Sequence, residues 1–432
     1  MNRNTFRLED LAAKGRSIIS GPFGSSIGSR FFQSDGVPVI RGNNLTTDHK
    51  KFVEQGFAFV SHEKAEELNA YALRDDILFT AAGTIGQVGI IPRNSRFEKY
   101  VISNKQLRIR IDAEKADPDF VFYWLASPWI FETIQNRNTG STVPLINLGT
   151  IRGLPVVLPG GVEDQKKVSA LLGAIDTKIE LNNRINSELE GMAKLLYDYW
   201  FVQFDFPMTA AQATALGKPK LAGHPYRASG GKMIYNETLK RDIPVGWTDG
   251  SLVDVATFTN GIACQKYPAD GGDTLRVIKI KEMRTGLTSD SDIVTANVPA
   301  KVKIKNGDIL FSWSASLEVM IWAGGEGALN QHIFKVTSDT HPRSFCYFVL
   351  LDYLRHFRMM ADLRKTTMGH ITIDHLEQSQ IAIPDDSVAE AFEVITKPII
   401  DRMVKAHEEN QELTQLRDWL LPMLMNGQVT VG

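Results

Sequence analysis

Glycine-rich turns and scattered histidines are the residues of this chain with the types for chemistry. SGPFGSSIG, Ser20 to Gly28, puts three glycines and a proline within nine residues. Turns of that kind present backbone N–H groups to anions. GTIGQVG, Gly83 to Gly89, has the composition of a dinucleotide fingerprint, but its spacing is wrong and an apolar strand-like segment follows instead of a helix. Gly230-Gly231-Lys232 lacks the leading glycine of a phosphate loop and continues into Met233. There is no H-E-x-x-H, no Asn-Pro-Pro-aromatic or Asp-Pro-Pro-aromatic tetrapeptide, and no metal-ligand spacing around Cys264 or Cys346. No catalytic residue, metal site or cofactor is therefore assigned to this chain. The ordinary role of His332 is a structural hydrogen bond.

Recognition asks for other residue types. Base edges are read by Asn, Gln, Arg and Lys in bidentate geometry, and phosphates by backbone N–H groups, Lys, Arg, Ser and Thr. By these rules the first half offers Ser25, Ser26, Arg41, Asn43, Thr84, Asn138 and Thr142 as DNA-contact candidates. The second half offers Lys279, Lys281, Ser312, Ser314, Thr366, Thr367 and His370. Each taken singly reads as an ordinary solvated loop residue before a base contact; their recurrence in matching parts of two halves is what selects them.

Bulk composition bounds these readings. A chain of 432 residues exceeds one ordinary core, and 43% hydrophobic with 23% charged residues is the make-up of a globular protein. The formal charge of −2 names no partner, but Arg30, Arg41, Lys50 and Lys51 cluster locally, as do Arg355, Arg358, Arg364 and Lys365. No apolar run approaches the roughly 20 residues of a membrane span, and the first residues lack the apolar core of a signal peptide. The two cysteines read as small buried residues of a cytoplasmic protein.

The elements that must position the candidates occur twice. DDILFTAAGTIG at Asp75 is echoed by GDILFSWSASLE at Gly307, SNKQLRIRI at Ser103 by LNQHIFKV at Leu329, and Asn138 to Pro159 by Thr366 to Pro384. The offset drifts from about 232 to about 224 residues, as short loop insertions produce. SGPFGSSIG has its counterpart in FTNGIACQKY, Phe258 to Tyr267. Each half closes on a long helical pattern with an imperfect heptad seam. The first runs through Ile175, Ile179, Asn186, Leu189 and Leu196, the second through Ile399, Met403, Asn410, Leu413 and Leu420. Asn186 and Asn410 hold equivalent seam positions, and Pro398 is expected to start, kink or interrupt the second helix. The expected fold is mixed α/β: two similar globular domains joined by two long antiparallel coiled-coil helices, an internal pseudo-two-fold repeat. The expected boundaries are 1–161, a helix over 162–202, a connector over 203–242 ordered by Tyr226 and Tyr235, a second domain over 243–385, a helix over 386–426 and a tail over 427–432.

In this order, repeated once, these motifs resemble the specificity subunit of type I restriction–modification enzymes. The matching residues are SGPFGSSI, Ile40 to Asn44, DDILFTAAGTIG, VPLINLGTIRGLPVVLP, the helix from Glu163 to Val202 and the junction from Gly223 to Trp247. The resemblance implies two target recognition domains, each reading half of a bipartite, asymmetric double-stranded DNA site. It implies that the paired helices set the gap and dock two modification (methyltransferase) subunits, with restriction (motor-nuclease) subunits as further partners. S-adenosylmethionine, ATP and Mg would then belong to those partners, the complex being an adenine-N6 methyltransferase and ATP-dependent endonuclease. The chain departs from the pattern at its start, where nothing like Ile243 to Trp247 precedes the first domain. A different class stays open on the residues alone: a coiled-coil scaffold whose globular domains bind proteins.

Overall fold

The computed structural model describes residues 4–140, 142–227, 231–363 and 370–431, and the Ile-Leu-Phe segments are buried central strands in it. In the first half Ile77–Thr80 lies between Val88–Ile90 and Gln106–Ile109, with Ile18–Ser20 outermost, all antiparallel. In the second half Ile309–Ser312 lies between Glu318–Ile321 and Ile333–Thr337, with Thr257–Asn260 outermost. A second four-stranded sheet also recurs. Val37–Ile40 pairs parallel with Tyr100–Ile102, as Thr274–Ile278 does with Gly327–Leu329, and antiparallel strands flank both pairs. A short antiparallel pair completes each half: Asn4–Arg7 with Pro155–Leu158, and Thr248–Ser251 with Gln380–Ile383. Despite the different sequence ahead of it, the first half thus enters on the same strand as the second.

The repeated acid of the Asp-Ile-Leu-Phe motif is structural. Asp76 is fully buried, accepts the Leu73 N–H at 2.8 Å and takes two hydrogen bonds from the Arg110 guanidinium at 2.7 and 2.8 Å. Asp308 likewise accepts the Lys305 N–H and pairs with Lys335 at 2.8 Å. A carboxylate so placed closes the turn before the strand, and its burial is compensated by the cation on the neighbouring strand.

The chain divides into two compact units: residues up to Lys178 with those from Leu413 onward, and Ile179–Glu412. The helices Val162–Tyr197 and Asp386–Met425, of 36 and 40 residues, therefore contribute to both. In the first unit Val168 and Leu172 of the central helix share a core with Leu421, Leu424 and Met425 of the C-terminal helix. There Arg417 meets Asp176 at 3.0 Å, and Asp176 accepts the Tyr123 hydroxyl at 2.6 Å. In the second unit the end of the central helix, including a π-helical turn over Asp198–Val202, buries Tyr197, Trp200 and Phe201 around Phe392.

All ten seam residues named above are buried or half-buried. The polar positions interlock in the second unit. Asn182 donates to Asn410 Oδ1 at 2.9 Å, Asn410 donates to Asn183 Oδ1 at 2.8 Å, and Asn186 donates to the Met403 carbonyl at 3.2 Å. These pairings run antiparallel. Asn410 thus pairs across to Asn182 and Asn183, and Asn186 to backbone, a finer pattern than equivalent positions alone specify.

Two expectations are corrected. Pro398 does not interrupt the C-terminal helix, which runs unbroken through it. The proline is exposed, and so is Val394 four residues before it, whose carbonyl loses the helical N–H that Pro398 lacks. In the connector, Tyr235 is 53% exposed and Tyr226 37%, with Lys218 over its ring; Phe204 and Phe206 do the core packing, against Trp247 at 5.2 and 5.6 Å. Both cysteines are buried, with the Cys346 thiol pushed up to about 12 by burial. Among the described residues no helix is long and apolar enough to cross a membrane.

Candidate nucleic-acid interface

One end of the first domain gathers five loops through backbone hydrogen bonds. Gly21 N–H donates to the Gln106 carbonyl at 2.9 Å and Ala81 N–H to that of Lys105 at 2.7 Å. Ser103 N–H donates to Ile40 at 3.0 Å and Ile146 N–H to Ala81 at 2.9 Å. The second domain repeats all four: Gly261 to Ile333 at 3.0 Å, Trp313 to His332 at 3.3 Å, Asn330 to Ile278 at 3.0 Å and Ile371 to Trp313 at 3.0 Å. These bonds fix the equivalence residue by residue. Ala81 stands where Trp313 stands, Lys105 where His332 stands, Leu145 where His370 stands, and Ser20 where Asn260 stands. The backbone is the same; the side chains it offers are not.

A buried polar group supports the 41–44 loop in each copy. Asn44, fully buried, accepts the Arg41 N–H at 2.9 Å and donates to the Val53 and Gln55 carbonyls. Glu282 takes that place in the second domain, accepting the Lys279 N–H at 3.2 Å. Sequence reading chose Asn43 and passed over Asn44; the loop's need for a buried acceptor three residues after Arg41 was the usable signal.

The first-domain candidates all fall on this gathered end. Ser25, Asn43, Thr84, Asn138 and Thr142 are exposed, and Ser26 and Arg41 are half-buried. Three of them are engaged in the loops themselves, Asn43 through its side-chain amide to the Gly56 carbonyl at 3.5 Å. Arg41 donates to the Gly56 carbonyl at 2.7 Å, and Asn138 Oδ1 accepts the N–H groups of Gly140 and Leu145, each at 2.9 Å. Asn138 therefore shapes the 138–146 loop, in which Thr142 is exposed, as Thr84 is in the neighbouring 81–86 loop.

In the second domain Lys281 and His370 are exposed. Lys279 is ion-paired with Asp292, whose hydrogen bond raises its ammonium above the usual lysine range. Ser312 and Ser314 are corrected: both are buried. The Ser312 hydroxyl donates to the Ser316 carbonyl and accepts the Glu318 N–H, closing a tight turn in which Ala315 adopts a left-handed φ of 59°. That turn carries Trp313, half-buried with its ring 5.9 Å from Phe334, which sequence reading missed. Its indole N–H donates to Asn260 Oδ1 at 3.1 Å, and its ring lies 5.5 Å from His332 and 5.4 Å from His370. His332 Nδ1 is buried with no partner among the described residues, and its Nε2 lies 3.5 Å from the Gln331 amide nitrogen. Thr366 and Thr367, with Arg364 and Lys365 of the basic cluster, lie outside the described residues.

No group of three or more His, Cys, Asp or Glu side chains suited to a metal occurs among the described residues. What these surfaces can do is present loop side chains and backbone N–H groups on a rigid sheet scaffold, in two versions.

Comparison with known proteins agrees with that duplication. The family model for the type I restriction modification DNA specificity domain matches residues 3–191 and again 244–414. The specificity subunit of the type I restriction enzyme HindI from Haemophilus influenzae is 27% identical over 399 residues, covering 79% of this chain and 85% of that one. The MjaIX specificity subunit from Methanocaldococcus jannaschii is 22% identical over 412 residues, covering 91% of this chain and 87% of that one. The crystal structure of a type I restriction–modification S subunit from M. genitalium shares the fold at a TM-score of 0.55 and 12% identity, covering 98% of this chain and 96% of that one. With two family matches laid over the two copies of one loop architecture, this chain belongs to the family of type I restriction–modification DNA specificity subunits.

Proposed function

We propose that each domain reads one half of a bipartite DNA site through the gathered loop end, with no catalysis by this chain. The observation that carries this is the conserved backbone bonding between the two copies combined with exchanged side chains at Ala81/Trp313, Lys105/His332 and Leu145/His370. Two domains doing the same chemistry would keep their reactive side chains. Two domains reading different sequences keep the scaffold and change the surface. The contacts fall to Ser25, Ser26, Asn43, Thr84 and Thr142 in the first domain and to Lys281, Trp313 and His370 in the second.

The helices set the gap between half-sites and dock two modification subunits. Leu181, Met192, Leu195, Val394, Ile395 and Trp419 support the docking role, because long helices that expose such side chains leave apolar surface to cover. Methyl transfer to adenine, with S-adenosylmethionine, is the work of those subunits, and ATP and Mg serve the restriction subunits; the complex acts on DNA in the cytoplasm.

The test is DNA binding by the chain assembled with its modification subunit across a salt series. A duplex carrying the methylated site should lose affinity by orders of magnitude between about 50 and 200 mM salt, as released counterions dictate. It should also outcompete a scrambled duplex by at least about a thousandfold. Equal affinity for both duplexes would refute sequence reading.

A further inference from the structure

Phe23 is 87% exposed, more than any other large apolar side chain among the described residues. The backbone that carries it is clamped. Gly21 is bonded to Gln106, and a Cβ on Gly21 would sit 1.8 Å from the Ser103 carbonyl oxygen. A Cβ on Gly24 would sit 3.0 Å from Asn104 Nδ2, so both glycines let the loop lie against the 103–104 turn. Pro22 fixes φ immediately before the ring. The Ser26 N–H closes a turn onto the Phe23 carbonyl at 2.9 Å, and Ile27, only 4% exposed, anchors the far side. An aromatic ring is thus held on a short, braced loop with its faces in solvent.

Its surroundings suit a polyanion. Ser25, Asn104 and Lys105 are exposed, Ser26 is half-buried, and neither segment 17–30 nor 103–106 contains an Asp or Glu. An apolar tip ringed by hydroxyl, amide and ammonium groups matches stacked bases flanked by phosphates. Among the described residues the second domain lacks this device. Counting from the equivalent glycines Gly21 and Gly261, the position of Phe23 holds Ala263. The second domain's large aromatic, Trp313, is tethered through Asn260 and sits beside two imidazoles.

We propose that Phe23 is a wedge that inserts between stacked base pairs in the half-site held by the first domain, while the second domain reads its half-site without insertion. The wedge opens one base step and brings Ser25, Ser26 and Lys105 against the widened groove and its phosphates. It makes the first half-site depend on how readily one step deforms, as well as on base contacts. This rests on the DNA-reading function proposed above.

The test uses the chain assembled with its modification subunit and duplexes of the methylated site. 2-Aminopurine, whose fluorescence rises on unstacking, replaces bases one at a time in both half-sites. The expected result is a several-fold rise at one step of the first domain's half-site and none in the other. Phe23→Ala should abolish the rise and weaken binding about tenfold, in line with the loss of one base–aromatic stack. Phe23→Trp should keep both, and all three proteins should share one melting temperature because the ring is solvent-exposed. The wedge is overturned if the wild-type complex binds its site yet every step stays stacked. It is equally overturned if the rise survives in Phe23→Ala. Absence of any site-specific binding by the wild-type complex would instead remove the DNA-reading function on which the wedge rests.

Discussion

His49 carries the clearest residue-scale consequence of how the first unit is built. It is half-buried, its Nε2 is buried with no partner among the described residues, and Arg417 lies close enough to oppose its charge. Burial first, then Arg417, lower its pKa below 6.5; Asp418, Asp176 and Asp48 work in the opposite direction and do not prevail. The unfolded chain therefore takes up a proton that the folded chain resists. Stability contributed by neutral His49 is intact above about pH 6.5 and is lost as pH falls through that value toward the depressed folded one. The expected outcome is a fall in the urea midpoint between pH 7.5 and 5.5 that shrinks in His49→Gln. An identical fall in the variant would assign the pH dependence to other groups. The same scale shows where sequence reading of the site stopped. Exposure of Ser25, Asn43, Thr84 and Thr142 follows from polar residues beside turn glycines. The burial of Ser312 and Ser314 does not, because it depends on a turn closed through Ser316 and Glu318. Phe23 was passed over because an apolar residue beside a turn normally points inward.

At the scale of elements, the seam asparagines hold the helices in one register. Asn182, Asn186 and Asn410 are each at most 8% exposed, and the bonds from Asn182 to Asn410, Asn410 to Asn183 and Asn186 to the Met403 carbonyl together fit one alignment. Asn410→Leu should destabilise the fold by about 1–3 kcal/mol, since it leaves Asn182 and Asn183 without their shared partner. Adding Asn182→Leu should recover much of that loss, because two facing leucines pack as an ordinary seam. Chemical denaturation of the single and double variants measures it; a double variant as unstable as the sum of its parts would contradict the pairing. The duplicated strands were legible because Ile-Leu-Phe after a turn acid is hard to place anywhere but a buried strand. The helices were legible from their heptads. How each helix divides between two units was not, since heptads say nothing of which globule covers the outer face. The unbroken passage through Pro398 was equally hidden, because whether a helix tolerates a missing N–H depends on its surroundings.

For the whole molecule the question is whether the duplicated architecture reads DNA in two places at a set distance. Inserting four residues near Asn186 adds about one helical turn, roughly 6 Å, and leaves both loop ends untouched. The expected outcome is a changed gap, or loss of assembly, with both half-site sequences preserved; altered half-sites with the same gap would contradict a spacer role for the helices. The most direct measurement is sequencing of methylated DNA from cells that express this chain with its modification subunit. Methylation confined to a split motif with an invariant gap, and absent without this chain, is the predicted result. Methylation at one continuous motif, or methylation that does not depend on this chain, would contradict the account.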